Sequence, residues 1–206
     1  ILAELIAMAQ QIIDKIDDTY TKIGFYKRAA AANLAAALEN AKTVYDAGTS
    51  GYGAAYDLLY AEYQKVLANP DAKIPFDPSL TYIITNKEYT NQTMWVNNEL
   101  VVRSEGGVDQ AADAAKWQFK ATASDGVYNI YNKKGYYCPA VLQSTAMTAT
   151  TTANADALYT LQEMEAGVWA IKLSPAAGYR NFHSSGNEVV GWETGNNASR
   201  WYLTAV

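Results

Sequence analysis

A unit of about forty residues occurs three times in the C-terminal part of the chain. The aromatic residues Trp117, Tyr159 and Trp201 follow one another at intervals of 42 residues (159 − 117 = 42 and 201 − 159 = 42). The openings of the second and third units also match, because Gly126 and Gly167 are each followed by valine and lie 41 residues apart (167 − 126 = 41). A fixed period of this length indicates a repeat architecture.

The three units predict a closed β-structure. Each contains short alternating strands separated by Gly, Asn and Ser turns, so the repeat is all-β. A propeller normally has at least about four blades, whereas three such units predict a β-trefoil, a six-stranded barrel with three hairpins. Alternate strand residues share one face, so we expect the barrel to be filled by the three aromatic residues and by the residues two positions after them, Phe119, Leu161 and Leu203.

The N-terminal third has the apolar spacing of three amphipathic helices. We predict the first over residues 2–16 and the second over residues 26–47, with Gly48 as its C-terminal cap. Ser50 is the predicted N-cap of the third helix. Short connections between the helices predict an antiparallel bundle. The expected buried faces include the large residues Tyr45, Tyr52, Tyr56, Tyr63 and Leu67.

A linker is predicted between the helices and the repeats. Residues 70–79 hold three of the five prolines and predict a short, stiff segment, in which Ile74 and Phe76 are expected to dock against one domain. All five tryptophans lie after residue 94, which supports a boundary. The predicted fold class is α+β with two domains: a three-helix bundle at 1–69, and an all-β trefoil at 80–206 with repeats at about 80–121, 125–163 and 166–206.

Composition narrows the function classes. The chain has 206 residues, of which 50% are hydrophobic and 18% charged, as is typical of globular proteins. The net charge of −5 argues against nucleic acid as a partner, because few cationic groups are left to neutralise phosphates. No apolar run approaches the length of about 20 residues that a membrane-spanning helix needs, so we expect no membrane insertion.

The inventory of reactive side chains argues against catalysis. Cys138 is the only cysteine and His183 the only histidine, so a zinc site and a Cys-His nucleophile pair are both disfavoured. The acidic residues follow no catalytic motif, and we expect no cofactor, no metal and no enzymatic activity in this chain. A small hydrolase would need an acidic pair facing across a deep cleft. The chain begins at Ile1 without a start methionine or signal sequence, so we expect it to be a piece of a longer protein.

The third repeat contains a suggestive polar cluster within residues 179–193. If a hairpin turns at residues 184–187, an aromatic ring, an imidazole, an amide and a carboxylate come together. Such a set suits a sugar, since the ring takes the apolar pyranose face and the polar groups bind hydroxyls. Beside this interpretation, Trp192 can simply pack on its own hairpin, His183 can be structural, and Asn197 can form a turn. The candidate carbohydrate-binding residues of this repeat are Trp192, His183, Asn181, Glu193 and Asn197.

The first repeat offers a second candidate site. Trp95 and Asn97 lie on the hairpin that corresponds to the one in the third repeat. The second repeat has residues 136–139 and a Thr/Ala-rich strand over residues 145–152 instead, and both lack polar anchors. At most two of the three lobes are therefore expected to be competent.

Two segments resemble known families. Residues 128–137 (YNIYNKKGYY) resemble the strand-turn-strand opening of ricin-type β-trefoil lectin modules, and residues 198–201 (ASRW) occupy the place of that family's Q-x-W. The resemblance covers about 127 residues (206 − 80 + 1 = 127), and it implies a trefoil that binds sugar. The Gln of Q-x-W is replaced in all three units, by Ala115, Ala157 and Ser199.

The helical part resembles the FIVAR repeat of bacterial surface proteins at residues 37–41 (ALENA), before Val44. That resemblance implies a spacer or docking role. The C-terminal part also resembles modules attached to secreted glycan-processing enzymes of polysaccharide-degrading bacteria.

These observations together predict a non-catalytic carbohydrate-binding or targeting module of a secreted, periplasmic or cell-surface bacterial protein. Its expected partners are a glycan or oligosaccharide, a tethered glycoside hydrolase and another surface protein. The alternative is a protein-interaction or spacer module in which the trefoil is only a scaffold. In that case the tyrosines of the third helix form the docking surface: Tyr52, Tyr56, Tyr60 and Tyr63.

Overall fold

The computed structural model describes residues 1–48, 50–174 and 180–206. The chain forms two compact units, Ile1–Pro75 and Phe76–Val206.

The boundary between the units falls within residues 70–79. Ile74 is buried in the first unit, where its N–H donates to the carbonyl of Phe25 (2.8 Å). Phe76 packs in the second unit, with its ring centroid 5.3 Å from that of Tyr82. The expectation that both side chains dock against one domain was wrong, because each belongs to the unit on its own side of Pro75.

The first unit is a three-helix bundle. Helix α1 spans Leu2–Ile13, α2 spans Arg28–Ala47 and α3 spans Tyr52–Ala68, and each helix packs against the other two. Small and branched apolar side chains at intervals of three and four form the buried faces. The buried helical residues are Leu2, Leu5, Ala9, Ile12, Ala31, Leu34, Ala37, Leu38, Ala41, Ala55, Leu59 and Val66.

The helix ends differ in part from those predicted. Helix α1 ends at Ile13 rather than at residue 16, because the chain turns and pairs with the segment before α2: Tyr26 N–H donates to the Lys15 carbonyl (2.8 Å). The same pairing delays the start of α2 to Arg28. Gly51, not Ser50, is the N-cap of α3, with a φ of 91° that suits glycine. Gly48 ends α2 as predicted, with a φ of 67°.

Three large residues predicted to be buried are instead exposed. Tyr45 is 47% exposed, Tyr52 38% and Leu67 51%. All three lie in the first or last turn of a helix, where the packing of the bundle ends. The prediction was wrong because the periodic pattern does not show how far along a helix its neighbours extend.

Asp17 organises the loop between α1 and α2. Its Oδ1 accepts from the N–H (3.1 Å) and hydroxyl (2.7 Å) of Thr19, and its Oδ2 accepts from the N–H groups of Thr21 and Lys22 (both 2.8 Å). Burial raises the pKa of this carboxyl, but the hydrogen bonds together outweigh that effect, so the pKa lies below its ordinary value of 3.8. The folded loop therefore favours the charged form.

We expect Asp17→Asn to destabilise the first unit by about 1.5–3 kcal/mol, because the new amide group turns a donor toward backbone donors. The folded pKa of Asp17 lies below the unfolded one. Its contribution is therefore present above about pH 4 and is lost as the pH falls through the folded pKa. Chemical denaturation followed by far-ultraviolet circular dichroism, which mainly reports helices, measures both effects.

Asp18→Asn is the matched control. Asp18 pairs with Arg28 on the surface, where both side chains are more than 60% exposed (61% and 62%), so its loss is expected to change little. Equal stability of the two variants at neutral pH would contradict the role given to Asp17.

Ten strands lie in the described part of the second unit, residues 76–174 and 180–206. They are β1 Thr81–Asn86, β2 Thr93–Val96, β3 Val102–Glu105, β4 Trp117–Ala121, β5 Val127–Asn132, β6 Leu158–Glu165, β7 Val168–Ser174, β8 Asn181–Ser185, β9 Glu188–Trp192 and β10 Trp201–Ala205. Antiparallel pairing joins β1 to β4, β4 to β5, β5 to β6, β6 to β7, β7 to β10 and β10 to β1. These six pairings close a ring, so the predicted six-stranded barrel is confirmed.

The repeated aromatic residues fill the barrel. Trp117, Tyr159 and Trp201 are fully buried. Each donates its polar hydrogen to a backbone carbonyl: the indole N–H of Trp117 to Met94 (2.8 Å), the indole N–H of Trp201 to Phe182 (2.8 Å), and the Tyr159 hydroxyl to Pro139. Of the residues two positions later, Phe119 and Leu203 are buried as predicted, whereas Leu161 is only half-buried.

The three repeats differ in their hairpins. Strands β2 and β3 form the hairpin of the first repeat, and β8 and β9 that of the third. In the described part of the second repeat, the corresponding segment makes only isolated bridges, among them Tyr137 with Thr150 and Val101 with Thr148. The Thr/Ala-rich strand expected over residues 145–152 is thus reduced to single bridged residues.

The second repeat packs closely against β9. Gly191 N–H donates to the Leu142 carbonyl (2.9 Å), and Ser144 N–H donates back to the Gly191 carbonyl (2.9 Å). A Cβ added at Gly191 would lie 2.5 Å from the carbonyl oxygen of Leu142. Only glycine allows the two backbones to approach this closely.

Candidate functional site

The hydrogen bonds from the repeated tryptophans to backbone carbonyls show which positions of the first and third hairpins correspond. Trp117 and Trp201 donate to Met94 and Phe182, so these two carbonyls occupy matching places. The residues that follow them, Trp95 and His183, therefore correspond as well. The strand registers pair Thr93 with Glu105 and Asn181 with Trp192, which makes Glu105 and Trp192 a second matching pair.

The hairpin of the third repeat borders a cavity of about 150 Å³, lined by Ser144, His183, Ser185, Val190 and Trp192. His183 pairs with Val190 across the hairpin, and cross-strand partners lie on the same face of the sheet. The cavity combines an aromatic ring, an imidazole and two hydroxyls with one aliphatic wall. Its lining is about evenly polar and apolar, so it can offer a ligand both hydrogen bonds and an apolar contact.

His183 is held in place by its neighbours. Its Nδ1 lies 2.7 Å from Ser199 Oγ, and its ring centroid lies 5.8 Å from that of Trp192. The histidine is only 9% exposed, and burial lowers its pKa below the ordinary 6.5. The imidazole is therefore neutral at pH 7, so Nε2 can donate to or accept from a ligand hydroxyl according to the tautomer.

Asn181 has a structural role on the same hairpin face. It is fully buried, and its Nδ2 donates to the Trp192 carbonyl (2.9 Å). Its Oδ1 is also buried and finds no hydrogen-bond partner among the residues that the structure describes. Asn181 therefore fixes the end of the β8–β9 hairpin, next to the ring of Trp192, rather than lining the cavity.

The other predicted residues of this cluster lie outside the cavity. Glu193 follows Trp192 and is exposed, and Asn197 is an exposed residue of the short 3-10 helix Asn197–Ser199. The carbonyl of Asn197 accepts from Arg200 N–H (3.1 Å), so its backbone forms a turn. Tyr179, which belongs to the predicted cluster, lies outside the described residues.

A second cavity, of about 280 Å³, lies beside the hairpin of the first repeat. Trp95 donates its indole N–H to Glu105 Oε1 (2.8 Å), and Glu105 Oε2 accepts from Arg103 (3.1 Å). In this pair the aromatic residue lies on β2 and its polar partner on β3. In the third repeat the order is reversed, since His183 lies on β8 and the aromatic Trp192 on β9. The lining residues are Trp95, Glu105, Gly106, Gly107, Val108, Asp109, Ala112, Ala114 and Lys134.

Asn97 does not line this cavity. Its Oδ1 accepts from the N–H groups of Glu99 (3.1 Å) and Val101 (2.8 Å), which is the usual way in which asparagine stabilises a turn.

The second repeat has no matching pair of side chains. Tyr159 donates to the Pro139 carbonyl, so Ala140 occupies the place of Trp95 and His183. A methyl group offers no hydrogen bond to a ligand. Nearby, Tyr131 and Tyr137 stack on each other with ring centroids 5.1 Å apart.

Other site chemistries find little support in the described part of the chain. No group of three or more His, Cys, Asp or Glu side chains within residues 1–48, 50–174 and 180–206 is placed to hold a metal ion. No helix among those residues is both long and apolar enough to cross a membrane. Cys138 is buried, and burial raises the pKa of its thiol, which makes it a poor nucleophile.

Comparisons with known proteins support the fold. No family model and no curated protein matches the chain. ThreeFoil, a designed threefold-symmetric protein, matches with a TM-score of 0.53 at 14% identity over 63% of this chain and 100% of its own. SeviL bound to the asialo-GM1 saccharide matches with a TM-score of 0.50 at 15% identity over 60% of this chain and 95% of its own.

A lectin of Polyporus squamosus, bound to a human-type influenza-binding epitope, matches with a TM-score of 0.52 at 19% identity. This match covers 62% of the present chain but only 49% of the lectin. Identities this low show the fold alone. Together with the closed six-stranded barrel, these matches show that the second unit is a β-trefoil.

Proposed function

We propose that this β-trefoil unit is a non-catalytic carbohydrate-binding module and that the third-repeat cavity is its principal site. The observation that supports this most strongly is the placement of Trp192, His183 and two serines around one small cavity. The bound glycans named for SeviL and the Polyporus squamosus lectin support the same ligand class.

The chemistry of the cavity suits a sugar ring. The indole of Trp192 offers an apolar face to the C–H groups of a pyranose, and the imidazole and hydroxyls offer hydrogen bonds to its hydroxyl groups. A stacked aromatic contact contributes only about 0.5–1.5 kcal/mol beyond its buried area. A single site is therefore weak, and useful retention comes from several sites or from tethering to another domain.

The wider setting belongs to the same proposal. The resemblance to modules of secreted bacterial glycan-processing proteins supports a role in holding a tethered glycoside hydrolase, or another surface protein, close to its glycan. Any catalytic activity then resides in a part of the parent protein outside this chain. The resemblance of the bundle to FIVAR repeats supports a spacer role for the first unit.

Trp192→Ala is expected to weaken binding at least about tenfold in a glycan-array screen, because it removes the stacking surface. Trp95→Ala is expected to have a smaller effect, since the indole of Trp95 is already engaged by Glu105. Tyr89→Ala, at an aromatic residue that is 47% exposed in the same unit, is the control and should bind as the wild type does. Failure of the wild type to bind any glycan would refute the proposed function.

A docking role for the bundle is the second candidate, supported by tyrosines on α3. Tyr60 is 46% exposed and stacks on Tyr56, with ring centroids 5.8 Å apart. Tyr52 is exposed as well, whereas Tyr63 is half-buried. Tyrosine is enriched in protein interfaces, so absence of glycan binding by the wild type would favour this candidate.

A further inference from the structure

The third-repeat cavity is built by two repeats, because Ser144 comes from the second repeat and the other lining residues from the third. We propose that Ser144 is a specificity-determining residue of this composite site, where its hydroxyl binds an uncharged sugar ring stacked on Trp192. This inference rests on the proposed carbohydrate-binding function. It assigns a ligand contact to a residue of the second repeat, which has no pair of side chains corresponding to His183 and Trp192.

The seam between the repeats holds Ser144 rigidly. Its N–H donates to the Gly191 carbonyl (2.9 Å), and the Gly191 N–H donates to the Leu142 carbonyl (2.9 Å). Gly191 is flanked by Val190 and Trp192, which both line the cavity. The position of Ser144 relative to Trp192 is thus fixed by two backbone hydrogen bonds through a single intervening residue.

The backbone of Ser144 is in an unfavourable conformation. Its φ of 54° lies in the left-handed region, which residues other than glycine and asparagine rarely occupy. A glycine would satisfy this turn without strain, so the turn alone does not account for a serine. Strained residues cluster at ligand sites, and here the strained residue is one of those that line the cavity.

Charge defines the class of ligand. None of the described lining residues carries a charged side chain, since the titratable one among them, His183, is neutral at pH 7. The nearest charged residues along the hairpin are of both signs: Glu188 pairs with Ser185 and Glu193 follows Trp192, whereas Arg180 precedes Asn181 at the same end of the hairpin as Glu193. Arg103, 3.6 Å from Glu188, offsets part of that charge outside the cavity. A carboxylate on the sugar would therefore be desolvated without a cationic partner among the described lining residues.

The size of the cavity limits the ligand further. About 150 Å³ is roughly half the lower bound of the 300–1,000 Å³ typical of pockets for drug-sized ligands. The cavity therefore accommodates one ring rather than an extended oligosaccharide.

The test uses the intact chain and multivalent polyacrylamide conjugates of glucose, galactose, mannose, fucose, N-acetylglucosamine and N-acetylgalactosamine, together with conjugates of glucuronic and sialic acid. The variant is Ser144→Gly, which removes the hydroxyl and relieves the backbone strain. Its thermal stability should be equal to or higher than that of the wild type. Ser124→Gly, at an exposed serine in the turn before β5, is the matched control.

We expect the wild type to bind at least one uncharged conjugate and neither acidic one. Ser144→Gly should weaken that binding about 2- to 10-fold, the loss of one neutral hydrogen bond, while Ser124→Gly leaves it unchanged. Binding by Ser144→Gly equal to that of the wild type, or preference for the acidic conjugates, overturns this inference and leaves the proposed function standing. No binding to any conjugate by the wild type overturns both.

Discussion

Replacing Trp201 with alanine is expected to destabilise the trefoil unit by about 3–5 kcal/mol, as is typical when a buried tryptophan is truncated. Trp201 is fully buried and lies on β10, which closes the barrel by pairing with both β1 and β7. The substitution leaves a cavity in the core and removes the donor to the Phe182 carbonyl. An unsatisfied buried acceptor adds to the cost of the cavity.

Tryptophan fluorescence during denaturation measures this effect. All five tryptophans lie in the second unit, so the signal reports the trefoil alone. Trp201→Phe, which keeps a ring but loses the N–H, should lie between the wild type and the alanine variant. Unchanged stability of the alanine variant would mean that the repeated aromatic residues are not the core of the barrel.

Replacing Gly191 with alanine is expected to destabilise the trefoil unit by about 1–3 kcal/mol or more, the usual cost of overpacking, at the place where the second repeat packs against β9. The new Cβ would lie 2.5 Å from the Leu142 oxygen and 2.7 Å from its carbonyl carbon. Both are backbone atoms, so no side-chain rotation relieves the clash. The second repeat must move away from β9, and Ser144 moves with it.

The same variant should lose glycan binding, because the cavity loses one wall. Gly195→Ala is the control, since a Cβ at Gly195 meets no atom within 4 Å. Thermal unfolding and binding to the sugar conjugates are measured in parallel. A Gly191→Ala variant as stable as the control would show that the two repeats are not packed as closely as the structure places them.

The barrel was predictable because its anchors repeat. Residues that fill a threefold barrel recur at a fixed spacing, and the interval of 42 residues between Trp117, Tyr159 and Trp201 reflects that symmetry. The hairpin of residues 181–192 was predictable as well, since strand-forming residues flank Gly186. Helix ends such as that of α1 were less predictable, because pairing between Lys15 and Tyr26 overrides local periodicity.

The residues that line the candidate cavity could be predicted only in part. The sequence pattern brought His183 and Trp192 together because they lie on one hairpin. It missed Ser185 and Val190, which show no signal beyond strand alternation, and Ser144, which reaches the cavity through tertiary packing against Gly191. The sequence pattern also did not show that Trp95 and His183 correspond. The two residues lie at different distances before Trp117 and Trp201, namely 22 and 18 residues (117 − 95 = 22 and 201 − 183 = 18).

The most direct test of sugar binding at the third-repeat cavity is an NMR titration of the intact chain with the uncharged sugar conjugates, observed at the five tryptophan indole N–H signals. We predict that the Trp192 signal shifts with increasing sugar, whereas those of Trp117 and Trp201 stay in place because both indoles are buried and bonded to backbone carbonyls. No shift of the Trp192 signal at saturating sugar, or shifts only at other tryptophans, would contradict the account.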